Sequence, residues 1–228
     1  MRINLLLIML LALFTITTTA CKKEKGDKAD VTETKNKVAK ASKDAKTYTI
    51  NANNSKVKWW GSKPSKTHNG SINVKSGSFA MKNGNIESGS FEIDMTSLVV
   101  EDLEGKMKAN LEGHLKGTVE GKEKDFFNIS EFPTSKFEIT KVTKVANNDN
   151  ATHLIYGNLT IKDITKQVGF QAKVDNKEGK IIATTKKFKI DRTDWDIQFM
   201  SNKFFDDLKD NFIEDEFEIR LRLVANAS

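Results

Sequence analysis

The sequence predicts an all-β domain over residues 47–228: an antiparallel sheet closed into a barrel of about eight strands, with one or two short helices outside it or across an end. Three observations lead there. Apolar and polar residues alternate with a period of two in one segment after another, the pattern of strands buried on one face. Asn- and Gly-rich stretches separate those segments and supply residues that tolerate positive φ, as tight hairpins require. Only two segments carry helical spacing. With 228 residues, 38% of them hydrophobic, the chain can bury one good core.

In chain order, a short strand starts at Tyr48 and is followed by strands at 56–60 and 71–79. At 90–95, Phe91, Ile93 and Met95 alternate with Ser90, Glu92 and Asp94; at 136–140, Phe137 and Ile139 alternate with Lys136, Glu138 and Thr140. Strands follow at 153–161 and at 167–174, where Val168, Phe170, Ala172 and Val174 share a face. The segment 181–190 reads as one strand. The last, 216–223, interleaves Phe217, Ile219, Leu221 and Leu223 with Glu216, Glu218, Arg220 and Arg222. Turns are expected at Asn83-Gly84-Asn85, at 147–150 and at 176–179. Leu103, Met107, Leu111 and Leu115 are four residues apart and predict a helix over 103–116 that stops at Gly117. A second short helix is expected at 203–210.

The segment before this domain has a different composition. Arg2, an apolar run at 3–16 and small residues at 17–20 follow the pattern of a cleaved export leader. Cys21, the only cysteine, has no intrachain partner. Thr18-Thr19-Ala20-Cys21 resembles the lipobox of bacterial lipoproteins, which implies that residues 1–20 are a lipoprotein signal peptide and that Cys21 is lipidated. On that reading the protein is held on a membrane through Cys21, in the periplasm or at the outer-membrane surface. Residues 22–46 hold nine lysines and five acids and lack Phe, Trp, Leu and Ile, so residues 21–46 are expected to be a lipidated cysteine and a flexible tether with a reach of about 25–30 Å. Subtracting Arg2 and the +4 of that tether from the total of +6 leaves +1 for residues 47–228. That balance argues against a nucleic-acid partner.

Three blocks in the domain resemble the YceI-like family of periplasmic polyisoprenoid-binding proteins. The stretch 156–174 matches a G-x-L-T-I-x-x-x-T-x-x-V block through Gly157, Leu159, Thr160, Ile161, Thr165 and Val168. His114, Leu115, Phe126, Phe127, Pro133 and Phe137 match a second block, and the stretch 188–197, FKIDRTDWDI, matches a third. The resemblance implies a lipocalin-like barrel that binds a long apolar chain, an isoprenoid or quinone-like lipid, with no other cofactor. The inward face would then line the cavity: Val57, Trp59, Phe91, Ile93, Phe137, Ile139, Leu159, Ile161, Val168, Phe170, Phe188, Ile190, Phe217, Ile219 and Leu221. An eight-stranded barrel is at the size where the lumen is either filled by side chains or holds one slender ligand. A filled structural or stress-related envelope protein without a ligand therefore stays open, as does a homodimer.

Chemistry-bearing residues are few. His68, His114 and His153 lie in separate segments without the spacing that brings two metal ligands to one helix face, and no metal site is expected. His114 is placed to satisfy carbonyls at the helix end. No nucleophile elbow or phosphate-binding loop occurs, and no catalytic residue is expected. In Asp191-Arg192-Thr193-Asp194, Arg192 either clamps a carboxylate to close the barrel end or meets a polar ligand head at the cavity mouth. Trp59 and Trp60 are adjacent, so one faces in and the other out.

Overall fold

The structure is a computed structural model that describes residues 26–33, 35–146, 151–177 and 179–228. The leader, Cys21 and the expected turn at 147–150 lie outside the described residues, as does Glu178 of the turn at 176–179. The strands are β1 (Asp27–Lys28), β2 (Asp30–Thr32), β3 (Lys46–Ile50), β4 (Lys56–Lys63), β5 (Lys66–Lys82), β6 (Asn85–Val100), β7 (Thr134–Lys144), β8 (His153–Ile161), β9 (Ile164–Lys177), β10 (Lys180–Thr184), β11 (Phe188–Asp191) and β12 (Glu216–Ala227). The α-helix α1 (Gly105–Lys116) joins β6 to β7. Neighbouring strands pair antiparallel throughout except for β1 with β11, and the sheet closes because β12 pairs with β3 and β4 at one edge and with β10 and β11 at the other. The predicted antiparallel all-β barrel is the observed fold.

The wall differs along the barrel axis. One half is an eight-stranded ring of β3, β5, β6, β7, β8, β9, β10 and β12. In the other half the segment read as one strand over 181–190 breaks at residues 185–187, and β11 continues along β12 but leaves β9. Thr185 exchanges backbone and side-chain hydrogen bonds with Leu221 at this break. Residues 27–32 fill the resulting seam, β1 pairing with β11 and β2 with β9, so this half is nine strands wide, counting β1 and β2 as one stave.

That stave corrects the expectation of a free tether. From Gly26 onward the lysine-rich segment belongs to the barrel: Gly26 N–H donates to Glu218 Oε1 at 2.8 Å, and Ala29 and Val31 turn into the core. The chain then wraps the outside as a belt. Asn36 exchanges two hydrogen bonds with the side chain of Asn158 on β8, Ala39 N–H donates to Ile139 O on β7, and Ser42 binds Glu87 on β6. Composition missed this because two small inward side chains need little apolar surface when an open sheet edge supplies the hydrogen bonds.

Other differences have local causes. The expected helix at 203–210 is absent, and only a 3₁₀ turn at Lys209–Asn211 occurs, because Asp207 and Lys209 adopt left-handed backbone with φ of 59° and 48°. The helix α1 ends as predicted, with Gly117 left-handed at φ 70° and its N–H returned to Gly113 and His114 carbonyls. Asn83 and Gly84 form the expected two-residue turn, and Lys162-Asp163 forms a second one with φ of 49° and 61°.

Candidate functional site

In the nine-stranded half the interior is a cavity of about 440 Å³, within the range of small-molecule sites. Val57 and Trp59 on β4, Ile72 on β5, Ile93 on β6, Leu159 and Ile161 on β8, and Phe217 and Ile219 on β12 form its wall. Each sits on the inward phase of its strand, as period-two alternation demands. On β6 the ladder with β5 is interrupted around Asp94, whose carboxylate accepts from Thr96 N–H and Oγ1. The resulting irregularity sends both Met95 and Leu98 inward, each at most 3% exposed, where strict alternation would expose one of them.

The helix α1 lies across the end of the barrel and presents Leu111 and Leu115 to the cavity, while Met107 of the same predicted stripe is exposed. Glu112 Oε1 accepts from Val100 N–H at 2.8 Å and seats the helix on β6. Phe127 N–H donates to Leu115 O, which fixes Phe126 and Phe127 beside the leucines as further lining. His114 does not cap helix carbonyls with its ring; Nε2 lies 2.7 Å from Asp125 Oδ2 and the ring packs edge-on against Phe126 and Phe199.

The eight-stranded half is packed solid. Phe91, Phe137 and Phe170 form a chain of rings with centroids 5.3 and 5.4 Å apart, which Phe188 on β11 extends into the wall at 4.8 Å from Phe170, and the void left among the first three and their neighbours is about 20 Å³. Gly157 makes this packing feasible, since a Cβ there would lie 2.2 Å from Phe137 Cζ.

The predicted lining residues therefore divide. Val57, Trp59, Ile93, Leu159, Ile161, Phe217 and Ile219 line the cavity. Phe91, Phe137, Ile139, Phe170 and Leu221 belong to the packed half. Val168, Phe188 and Ile190 are core residues in the wall between β9 and β12 and touch neither space. Sequence reasoning missed Ile72, Met95, Leu98, Leu111, Leu115, Phe126, Phe127, Ile197 and Ile213. Two signals pointed to some of them: the four-residue leucine spacing of α1 and the Phe126-Phe127 pair. Trp59 is the inward tryptophan; Trp60 faces out beneath Lys187 Nζ, 3.8 Å from its ring centroid.

Arg192 lines the cavity side wall, and its guanidinium is occupied by protein acceptors. Nε donates to Glu214 O, Nη1 to Ile197 O at 2.7 Å and Nη2 to Ile213 O at 2.9 Å, with Asp215 Oδ1 at 3.4 Å. Three of these acceptors are backbone carbonyls and the one carboxylate oxygen is the most distant, so the side chain ties Ile197 and Ile213 beside the cavity rather than gripping a carboxylate as expected. Burial alone would raise the neighbouring Asp191 carboxyl, but hydrogen bonds from Lys203 and Thr193 outweigh it and hold the group below the usual carboxylate range.

Apart from Ser135 and Arg192, the polar lining residues gather at the rim: Ser62 and Lys63 at the end of β4, Ser65, Lys66 and His68 entering β5, and Glu214 opposite. Glu214 N–H donates to Ser62 O and joins the two sides. His68 Nδ1 lies 2.8 Å from Asp102 Oδ2, whose other oxygen accepts from Asn69 N–H at 2.9 Å. Burial opposes ionisation of Asp102, yet these bonds from Asn69 and His68 keep its carboxyl low. Among the described residues no three His, Cys, Asp or Glu side chains gather as a metal ion would require.

A closed antiparallel barrel with one plugged half and one apolar, ligand-sized half open at a polar rim defines the class: a small β-barrel built around an internal cavity. The family model for the YceI-like domain matches residues 48–225, and the chain belongs to the YceI-like family. Its fold is similar to the crystal structure of BcnA from Burkholderia cenocepacia, at 20% identity and TM-score 0.55, covering 78% of this chain and 99% of that one. It is also similar to a polyisoprenoid binding domain from Saccharophagus degradans implicated in plant cell wall breakdown, at 12% identity and TM-score 0.55, covering 84% and 100%. No curated protein sequence matches the chain.

Proposed function

We propose that this protein binds an apolar, isoprenoid-type lipid in the cavity and carries or sequesters it in the bacterial cell envelope. The observation that carries the reading is the 440 Å³ space walled mainly by aliphatic and aromatic side chains, where Ser135 and the internally paired Arg192 are the polar lining residues away from the rim. Apolar surface moved from water into such a space is favoured by roughly 25 cal/mol per Å². Membership of the YceI-like family and the likeness to a polyisoprenoid binding domain support the class of cargo. Lipidation of Cys21 would hold the barrel at a membrane.

Extraction of the purified protein with organic solvent, followed by mass spectrometry, tests the reading. An apolar compound released at near-stoichiometric yield is the expected result. No released compound, together with no change in tryptophan fluorescence on titration with prenyl alcohols, would favour a structural barrel without cargo.

A further inference from the structure

The outer wall of the barrel carries a charge arrangement that neither the fold nor the cavity explains. Outward residues of β4 include Lys56 and Lys58, those of β12 include Arg220 and Arg222, and the ladder sets Lys58 directly opposite Arg220 and Lys56 directly opposite Arg222. Opposed Cα atoms lie about 5 Å apart and successive outward residues about 7 Å apart. The four α-carbons therefore fall within about 9 Å, a span over which salt screens charge only partly. Like charges directly opposite across a ladder destabilise a sheet. Lys58 binds Glu101, which also accepts from Ser71, and Lys56 donates to Asn73. The two arginines are exposed and take part in no ion pair among the described residues. Glu218, the next outward residue of β12, is already held by Lys187 and by Gly26 N–H.

The choice of cation points to the occupant. Of the 37 basic residues of the chain the arginines are Arg2, Arg192, Arg220 and Arg222, and all the others are lysine. Arg192 is engaged by protein acceptors, so the two described arginines open to a partner stand together on this patch. A guanidinium takes phosphate oxygens in paired hydrogen bonds, which an ammonium does not. The wall offers no apolar centre of the kind a protein interface uses, because Trp60, its outward aromatic on β4, lies beneath Lys187. A duplex-binding surface commonly neutralises about six or more phosphates, beyond the reach of four cations. A bilayer presents phosphates in a plane and requires neither. We infer that the outer face of β4 and β12 docks on an anionic phospholipid bilayer, with Arg220 and Arg222 on lipid phosphates and Lys56 and Lys58 beside them. Ser62, at the cavity rim, follows Lys58 along β4 at a distance of about 14 Å, so a docked barrel holds its mouth near the headgroups. The inference stands on the outer wall and does not depend on what the cavity holds.

The test is co-sedimentation of the full chain with vesicles of phosphatidylcholine alone and of phosphatidylcholine mixed with phosphatidylglycerol. The chain carries Cys21→Ser so that no lipid anchor contributes, and the apolar run at 3–16 favours neither vesicle. The phosphatidylglycerol vesicles should bind more tightly. A basic residue near an anionic surface contributes roughly five-fold in affinity, so Arg220→Gln with Arg222→Gln should weaken that binding by about 25-fold and leave binding to phosphatidylcholine unchanged. Arg220→Glu with Arg222→Glu should weaken it further. Lys40→Glu with Lys43→Glu makes the same charge change on exposed lysines of the belt, away from this face, and should cost about three-fold or less. The Glu pair also turns two like-charged cross-strand pairs into opposite-charged ones, so its urea midpoint should rise. Equal binding to the two vesicles overturns the inference, as does a belt variant that loses as much as the arginine variants. A urea midpoint that falls in the Glu pair shows that the arginines serve the wall itself and overturns it too. Double-stranded DNA bound more tightly than phosphatidylglycerol vesicles, and released by the same arginine substitutions, overturns the bilayer assignment in favour of nucleic acid. None of these results bears on the cavity, whose reading fails or stands on the extraction experiment.

Discussion

Replacing Phe170 by Ala examines the plug that divides the barrel. The ring is 7% exposed, stacks on Phe188 at 4.8 Å with planes 9° apart, and meets Phe137 at 5.4 Å. Truncation of a buried Phe costs about 3–5 kcal/mol through lost transfer energy and the void left behind. Two ring pairs worth about 0.5–1.5 kcal/mol each are lost with it, which places the expectation at the upper end, about 4–5 kcal/mol. With a urea m-value of roughly 2–3 kcal/mol/M, the unfolding midpoint should fall by about 1.5–2 M. Phe170→Leu keeps most of the volume and should cost less than half as much. The assay is equilibrium urea unfolding followed by far-UV circular dichroism. A midpoint shift under about 0.4 M for the Ala variant, near 1 kcal/mol, would refute the solid packing of this half.

The remaining predictions concern the stave, a buried histidine and a strained turn. Val31→Asp puts a carboxylate where Val31 packs against the core, so the stave over residues 27–32 should detach; hydrogen exchange would then show loss of protection at 167–169 and 188–189 while β7 and β8 stay protected. His153 is buried, its Nε2 has no partner among the described residues, and burial together with the nearby Lys144 lowers its pKa. The unfolded chain takes up that proton near pH 6.5 and the native state only at lower pH, so stability present above about pH 6.5 is lost as pH falls below it. Thermal melts between pH 7.5 and 5.0 should show a shallower decline in His153→Gln than in the parent. Asp163→Gly relieves a left-handed φ of 61° in the Lys162-Asp163 turn and should raise stability by up to about 1 kcal/mol in urea unfolding.

Much of the wall was legible because a strand reports its faces through single residues: Phe217, Ile219 and Leu221 had to share a side whatever lay opposite. Trp59 and Ile93 reached the cavity by the same rule. The helix stop at Gly117 and the Asn83-Gly84 turn were readable because their backbone conformations favour those residues locally. Lys162-Asp163 carried no such mark, and its turn is imposed by the pairing of β8 with β9. Residues 27–32 were read as tether because their strand character exists only beside the open edges of β9 and β11.

Alternation along each segment thus determined an antiparallel barrel and which side chains point inward, since both depend on neighbours two residues away. How far the inward side chains reach across the axis was decided only in three dimensions. An eight-stranded ring lets Phe137 and Phe170 meet and fill it, whereas the stave inserted at the break after β10 widens the other half enough to leave a cavity. Strand number at each level of the barrel depends on contacts between residues more than a hundred positions apart, and no local pattern encodes it.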